Sequence, residues 1–226
     1  MKKTFLSWSS GKDSAWALHS LRQDPHTELS GLFTVVNREY ARVSMHATRV
    51  DLLKRQADAL KLPIQIIHIP HPCDNHECDA IMRTFVESVV ETGIEYMAFG
   101  DLFLQEVREY RENQLKDTKI RPLFPLWKTP THVLAEQMFS SGLEAYVSCV
   151  DPQKVSRDLV GRRWSEALIA ELPENVDPCG ENGAFHSFVT DGPIFRHPVR
   201  VKKGETVVRD ERFYYCDLLG DADTRG

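Results

Sequence analysis

The turn that follows the first apolar run of this chain restricts its fold more than any other segment does. The run Phe5-Leu6-Ser7-Trp8 predicts a short strand, and the small and polar residues after it, Ser9-Ser10-Gly11-Lys12-Asp13-Ser14, lead into a helical pattern. A turn between a strand and a helix forms an anion pocket, because the first N–H groups of the helix point outward and the helix dipole attracts negative charge. The chain is therefore expected to begin with an anion-binding βα unit.

Each side chain of this turn suits a phosphate ligand. Gly11 allows the backbone to approach a phosphate closely, and Lys12 supplies a mobile positive charge. Asp13 is a candidate magnesium contact, and Ser10 and Ser14 are hydroxyl donors. The alternative is a serine-rich turn that only caps a helix.

The turn does not match the commoner Walker phosphate loop. That pattern requires a glycine where this chain has Leu6, and a Ser or Thr where it has Asp13. A different class of phosphate loop is predicted.

Composition and length set the broad class. The 226 residues suffice for one full α/β core, with or without a small appendage, and 42% hydrophobic and 27% charged residues are typical of a soluble globular protein. Neither a secretory signal nor a membrane-spanning stretch is recognisable, so a cytoplasmic location is expected. The net charge of −5 argues against an extended nucleic-acid surface.

The cysteines and histidines predict free thiols rather than a metal centre. Five scattered cysteines, an odd number, suit a reducing compartment. A cluster of zinc-capable side chains lacks paired CxxC spacing and is interpreted as a polar loop before a helix: His68, His71, Cys73, His76 and Cys78.

Strands and helices alternate along most of the chain. The pattern predicts strands at 3–8, 29–36, 64–69, 95–100 and 145–150, and helices that include 50–60, 80–92, 105–114, 133–138 and 153–172. From residue 185 onward strands are expected, with a hairpin turn at Lys203-Gly204-Glu205. The βαβα order predicts an α/β fold with a doubly wound, mostly parallel sheet, whose ligands bind at the carboxyl ends of the strands.

The change of pattern near residue 104 predicts two domains. Residues 1–104 form the expected nucleotide-binding domain, and residues 105–226 a smaller α+β substrate-binding domain.

A second dense group of chemical side chains runs from Asp177 to Phe188. Two glycines bracket an acid–amide pair, and an aromatic–histidine pair then enters a strand. Permissive loops that carry carboxylate, imidazole and hydroxyl groups are common at substrate sites, but the same residues would also make an ordinary turn beside a structural histidine. The residues alone leave both interpretations open.

The first turn resembles the SGGKDS signature of the PP-loop ATP pyrophosphatases, with Ser10 in place of the first glycine. Together the two groups resemble the diphthine–ammonia ligase family within that superfamily. The late segment of that family is matched by Gly180-Glu181-Asn182-Gly183-Ala184-Phe185-His186-Ser187, followed by Asp191-Gly192-Pro193. The family's middle motifs are similar to Gly100-Asp101, Arg108, Arg111-Glu112, Pro125-Leu126-Trp127 and Gly142-Leu143.

The resemblance implies an ATP-dependent ligase of the PP-loop (HUP-like) fold. It would use ATP and Mg²⁺ to adenylate a substrate carboxylate, release pyrophosphate and form an amide with ammonia. Implied catalytic residues are Lys12, Asp13, Glu181 and His186, with Asp13 also the metal contact. Implied nucleotide-binding residues are Ser9 to Ser14, Val36, Asn37, His46, Gly100 and Asp101. Implied substrate-binding residues are Arg108, Arg111, Glu112, Trp127, Gly180, Glu181, Asn182, Gly183, Phe185 and His186.

Several of these assignments have simpler alternatives. Arg108 and Arg111 would otherwise be a solvated helix face, and Trp127 a core residue. Ala184 and Ser187 replace a glutamate and a threonine of the family, which puts the exact reaction in question.

Two other functions share the predicted fold. One is a PP-loop enzyme that modifies tRNA; thiolation generally uses paired cysteines or an appended RNA-binding domain, and the sequence indicates neither. The other is an ATP-binding sensor without catalysis. A carboxylate-bearing small molecule or protein side chain is the expected substrate, no membrane partner is expected, and a homodimer is left open.

Overall fold

A computed structural model describes residues 1–43, 46–209 and 212–221. The chain forms two compact units. The first contains residues 1–9, 13–41 and 62–129, and the second contains residues 10–12, 42–61 and 130–226. The two domains predicted on either side of residue 104 remain a functional prediction.

The first unit is built on a parallel sheet with the strand order β4-β2-β1-β5-β6. Its strands are β1 (Lys2–Ser7), β2 (Thr27–Asn37), β4 (Ile64–Ile69), β5 (Tyr96–Ala98) and β6 (Arg121–Leu123). Its helices are α1, which begins at the boundary with the second unit (Lys12–Gln23), α3 (Asn75–Glu91) and α4 (Gln105–Leu115). Short β-branched runs form the strands because their side chains pack well on a pleated surface.

The core of the first unit contains mainly aromatic and aliphatic side chains. Phe33 contacts Phe85 and Phe99, with ring centroids 5.2 and 6.1 Å apart. Val89 and Met97 are almost fully buried in the same cluster. Helix α3 is fixed at its start by Asp74, whose side chain accepts a hydrogen bond from the backbone N–H of Glu77 (2.8 Å).

The strand order creates a switch point in the middle of this sheet. From β1 the chain first continues to β2 and β4 on one side, and later to β5 and β6 on the other. Since all these pairs are parallel, the segments that follow Ser7 and Ala98 leave the sheet at the same edge. Open α/β sheets bind ligands at such a point.

The second unit contains an antiparallel sheet. Its central strand, β7 (Glu144–Val150), pairs on one edge with β9 (Phe185–Asp191). On its other edge β7 pairs with the short β8 (Arg163–Trp164) and with β11 (Phe213–Gly220). Strand β10 (Val201–Arg209) pairs with β11. Its other elements are β3 (Arg42–Val43), α2 (Val50–Leu60), α5 (Thr131–Ser140) and α6 (Glu166–Ile169). Leu52, Ala59, Phe188 and Leu218 pack α2 against this sheet. The predicted α/β fold with an α+β C-terminal part is confirmed.

An ion-pair group connects the last strand to the start of α2. The carboxylate of Asp217 accepts hydrogen bonds from Arg42 (2.8 Å) and Arg49 (2.9 Å to Nε). Burial alone would raise the pKa of Asp217, but the two guanidinium groups lower it to about 2. The ionised carboxylate therefore stabilises the folded state.

The helix predicted at 153–172 is wrong. The segment contains a 3₁₀ turn (Arg157–Leu159), strand β8 and the short α6 instead. Gly161 adopts a φ of +75°, and the side chain of Ser165 caps α6 through the N–H of Leu168 (3.3 Å), so a continuous helix is interrupted twice.

The hairpin turn predicted at 203–205 is also wrong, because these residues lie inside the continuous strand β10. A Cβ at Gly204 would lie 2.6 Å from the carbonyl oxygen of Asp217 on β11. Here glycine permits close approach of two strands rather than a turn.

Two of the five cysteines depart from the prediction of free thiols. Cys73 and Cys78 form a disulfide, whereas Cys149, Cys179 and Cys216 are free and buried. The first turn of α3 brings Cys78 back toward the preceding loop, at a Cα–Cα distance of 6.1 Å from Cys73. None of the helices in the described ranges is both long and apolar enough to cross a membrane.

Candidate functional site

The predicted phosphate loop places Ser10 in an unusual backbone conformation. Ser10 is buried and has a φ of +73°, a region that favours glycine. Its hydroxyl lies 2.6 Å from that of Thr48, and its carbonyl accepts hydrogen bonds from Gln56 Nε2 (3.2 Å) and the N–H of Val189 (2.9 Å). Sequence reasoning missed Thr48 and Gln56, because the predicted helix 50–60 carried no sign of this contact.

Gly11 is required by close packing. A Cβ there would lie 2.7 Å from Cε1 of His46 and 3.0 Å from the carbonyl oxygen of Ser187. The predicted site residue His46 is thus next to the loop, where its Nδ1 lies 3.0 Å from the same oxygen. Any larger residue at position 11 would displace the imidazole.

Lys12 is held in place, so the prediction of a mobile charge is wrong. The side chain is 1% exposed, and its ammonium donates a hydrogen bond to the carbonyl oxygen of Cys179. Nζ lies 5.7 Å from the ring centroid of Trp164 and 5.6 Å from that of Phe185. The backbone N–H of Lys12 donates to Ser187 Oγ (3.1 Å). A fixed buried cation at the start of α1 reinforces the attraction of the helix N-terminus for an anion.

His186 is next to this charge and is neutral. Its ring centroid lies 4.7 Å from that of His46, and its buried Nε2 has no hydrogen-bond partner among residues 1–43, 46–209 and 212–221. Burial, and then the charges of His46 and Lys12, hold the pKa of His186 well below its usual value. A neutral imidazole with an unused ring nitrogen can donate a hydrogen bond to a ligand or accept one from it.

The loop before His186 is organised by Asp177, which sequence reasoning did not select. One carboxylate oxygen accepts hydrogen bonds from the N–H groups of Cys179 (2.7 Å) and Glu181 (3.4 Å), and the other accepts one from the Thr131 hydroxyl. Gly180 has a φ of +75°, and a Cβ there would lie 2.7 Å from the carbonyl oxygen of Phe185.

The remaining predicted residues of this loop lie nearer the surface. Glu181 and Gly183 are half-buried, and Asn182 is exposed, with its carbonyl accepting a hydrogen bond from Lys154. The structure thus brings Gly11, Lys12, His46, Phe185, His186 and Ser187 together, and leaves Asn182 outside that group.

The first unit carries a separate group at the carboxyl ends of its strands. Gly100 packs against the first turn of α1, because a Cβ there would lie 3.0 Å from the Asp13 carbonyl and 3.1 Å from the N–H of Ser14. Ser9 and Ser14 share a hydrogen bond of 3.1 Å. These residues surround the switch point of the sheet, as the order β2-β1-β5 requires.

Asp101 is buried at the same edge. Its Oδ2 lies 3.9 Å from Nε of Arg111 and makes no hydrogen bond within the described part of the chain. Burial raises the pKa of Asp101; Arg111 opposes that rise and the nearby Asp13 adds to it. Two close carboxylates, one with an unused oxygen, are donors that suit Mg²⁺ together with phosphate oxygens. The described residues hold no group of three metal-ligating side chains.

Arg108 and Arg111 are not simply a solvated helix face. The guanidinium of Arg108 lies 4.7 Å from the ring centroid of Phe124 and 4.8 Å from that of Trp127, and it pairs with Glu112 at 2.7 Å. The guanidinium of Arg111 lies 5.1 Å from the ring centroid of Phe99. Stacked guanidinium groups are held ready for a planar or anionic ligand. Sequence reasoning selected Trp127 through the motif Pro125-Leu126-Trp127 but gave Phe124 no role.

The end of β2 leads into a turn that Asn37 stabilises. Val36 is buried in the strand, where it pairs with His68 of β4. The side-chain oxygen of Asn37 accepts hydrogen bonds from the N–H groups of Glu39 (2.9 Å) and Tyr40 (3.2 Å). Asn37 therefore builds the turn after the strand, and its contact with a nucleotide stays a prediction.

Comparison with known families identifies the class of the chain. Residues 1–121 match the family model of the diphthamide synthase N-terminal domain, and residues 130–218 match that of the C-terminal domain. The chain belongs to the diphthamide synthase family. It is 26% identical to the diphthine–ammonia ligase of Danio rerio over 231 residues, covering 90% of this chain and 88% of that protein. It is 25% identical to the diphthine–ammonia ligase of Rattus norvegicus, covering 88% of this chain and 83% of that protein.

Proposed function

We propose that this protein is an ATP-dependent ligase that converts the carboxylate of diphthine, a modified histidine side chain, into an amide with ammonia. The observation that carries the proposal is the family match of residues 1–121 and 130–218, together with a phosphate-loop sequence that directly follows the central strand β1 of the parallel sheet. The named activity of the two relatives supplies the reaction.

The reaction has two steps. The substrate carboxylate attacks the α-phosphorus of ATP, pyrophosphate leaves, and an acyl-adenylate forms; ammonia then attacks the acyl carbon, AMP leaves, and the nitrogen loses a proton. The first step brings the carboxylate and ATP, both anions, together and releases pyrophosphate, a third anion. Its barrier falls where fixed positive groups already face the phosphates. Lys12 and the helix N-terminus supply such groups here.

Mg²⁺ would be held by Asp13 and Asp101, and would neutralise phosphate charge when bound. The unused Oδ2 of Asp101 supports this assignment. Nε of Arg111 lies 3.9 Å from Oδ2 of Asp101 and opposes the rise in pKa that burial causes, so this guanidinium would favour the ionised carboxylate that a cation requires.

The second step needs neutral ammonia. Burial, and then the charges of His46 and Lys12, lower the pKa of His186, and the charge of Lys12 would also disfavour an ammonium ion beside that imidazole. Neutral His186 could accept a hydrogen bond from ammonia through a ring nitrogen, with Glu181 a candidate proton acceptor. Arg108, stacked on Phe124 and Trp127, would bind the substrate carboxylate.

Replacement of Lys12 tests the first step. Lys12→Met preserves most of the buried volume, so the protein is expected to fold, but pyrophosphate release should fall at least about 100-fold because a preorganised charge is lost. Lys61→Met, at an exposed lysine of the second unit, is the matched control and should retain wild-type turnover. Near-normal turnover by Lys12→Met would contradict the proposed role of the loop.

One observation favours a second candidate, sulfur transfer to tRNA. Such enzymes generally use paired cysteines, and Cys73 and Cys78 are paired in this chain although the sequence did not indicate it. The net charge of −5 is unfavourable for RNA. The two functions differ in the effect of Cys73→Ser, which should leave amide formation unchanged and would abolish a thiolation that depends on the pair.

A further inference from the structure

The phosphate loop contains a serine in a conformation that normally requires glycine. Ser10 is fully buried at a φ of +73°, where a residue with a Cβ is conformationally strained. The strain persists only if the surroundings hold the residue there. Three contacts, all within the second unit, hold Ser10 in this conformation.

Thr48 holds the side chain of Ser10. The two hydroxyl oxygens lie 2.6 Å apart, and both residues are buried, at 0% and 4% exposure. A buried hydroxyl without a partner is costly, so each of these groups depends on the other.

Gln56 holds the backbone of Ser10. Its side-chain nitrogen donates to the carbonyl oxygens of Ser10 (3.2 Å) and Val189 (2.7 Å), so both N–H bonds are used. The N–H of Val189 donates in turn to the Ser10 carbonyl (2.9 Å). The fully buried Gln56 thus joins the loop to strand β9. The same strand holds Lys12, because Ser187 Oγ accepts a hydrogen bond from the backbone N–H of Lys12.

We propose that Thr48 and Gln56 are positioning residues, which hold Ser10 in its left-handed conformation so that the next residues, Gly11 and Lys12, are presented to the phosphates of ATP. This inference rests on the proposed function for the identity of the anion. Because position 10 is a serine, its buried hydroxyl needs Thr48 as a hydrogen-bond partner. A glycine at position 10 would have no hydroxyl and would not need Thr48.

A double-mutant cycle tests the pairing of Ser10 and Thr48. Thr48→Val should weaken ATP binding, measured by calorimetry, about 10-fold, since a buried hydroxyl loses its partner. Ser10→Gly provides the reference background of the cycle, because glycine adopts this φ without strain and has no hydroxyl to pair with Thr48. In the Ser10→Gly background Thr48→Val should have no further effect.

Two results of this cycle would overturn the inference: a wild-type affinity in Thr48→Val, or losses that simply add in the double variant. Thr190→Val is the matched control, because Thr190 is a buried threonine of the same unit whose hydroxyl donates to the Glu144 carbonyl. It should bind ATP as the wild type does. In turnover assays the effect of Thr48→Val should appear in KM for ATP rather than in kcat, as a positioning role requires.

Hydrogen exchange tests Gln56 without any nucleotide. In Gln56→Met the amides of residues 11–14 should exchange about 10-fold faster than in wild type, since the link to β9 is lost. Unchanged exchange would overturn the inference even if the ligase activity is real. Faster exchange in a protein that binds no ATP would support the positioning role and contradict the proposed function. If Gln56→Met does not fold, Thr48→Val provides the same measurement.

Discussion

Replacement of Gly11 by alanine tests how tightly the phosphate loop is packed. The new Cβ would lie 2.7 Å from Cε1 of His46 and 3.0 Å from the carbonyl oxygen of Ser187. The first distance is too short for a Cβ atom, and the second is so tight that the carbonyl would have to move slightly. The imidazole can rotate away, but the carbonyl belongs to strand β9, whose pairing with β7 fixes it.

The size of the effect follows from these two contacts. Overpacking of a well-packed site costs about 1–3 kcal/mol. For a chain of this length each kcal/mol lowers Tm by about 2–4 °C, so a decrease of roughly 2–12 °C is expected. Binding of ATP should weaken as well, because relief of the clash moves the loop.

Thermal melting of Gly11→Ala, His46→Ala and the double variant separates the two contacts. Removal of the imidazole eliminates the shorter contact but leaves the carbonyl, so the double variant should recover about half of the loss. A Tm of Gly11→Ala equal to that of wild type would refute the packing argument.

Two further predictions concern pH. The pKa of Asp217 is lowered to about 2. Its ion pairs therefore stabilise the fold fully above pH 3.8, and this stabilisation is lost as the pH falls from 3.8 toward 2. Asp217→Asn should lower the free energy of unfolding by about 2 kcal/mol at neutral pH and by progressively less in acid. Equal urea midpoints for the two proteins at neutral pH would contradict this. His186 has a lowered pKa, so the unfolded chain binds its proton first and wild-type stability should fall as pH drops below 6.5. His186→Gln should have a shallower fall over this range in urea titrations, and identical slopes would argue against a buried neutral imidazole.

Local patterns were sufficient for several elements of the first unit, but strand β6 was not predicted and helix α3 begins at Asn75 rather than at the predicted residue 80. Strand β4 occupies the predicted residues 64–69, where four of the six residues are isoleucine and Pro63 and Pro70 set the limits. Helix α4 was likewise predicted to within one residue of its end. In the second unit the prediction overlooked Gly161 and took Gly204 for a turn residue, although Gly204 instead permits close approach of strand β11.

The sequence predicted which residues belong to the candidate site but not which of them contact one another. The residues of the loop and of the segment 180–187 were selected from their motifs, and the structure places Lys12 beside Phe185. Thr48 and Gln56 were missed because their partner, Ser10, is about 40 residues earlier in the chain. Spacing along a helix identifies its buried face but does not identify what that face binds.

The fate of radiolabelled ATP tests the proposed reaction most directly. The protein is incubated with ATP labelled on the α- or the γ-phosphate, ammonium and an elongation factor that carries diphthine. The account predicts AMP and pyrophosphate in amounts equal to the amide formed, with neither product when the carboxylate is omitted. Formation of ADP and phosphate, or of amide without ATP cleavage next to the nucleoside, would contradict it.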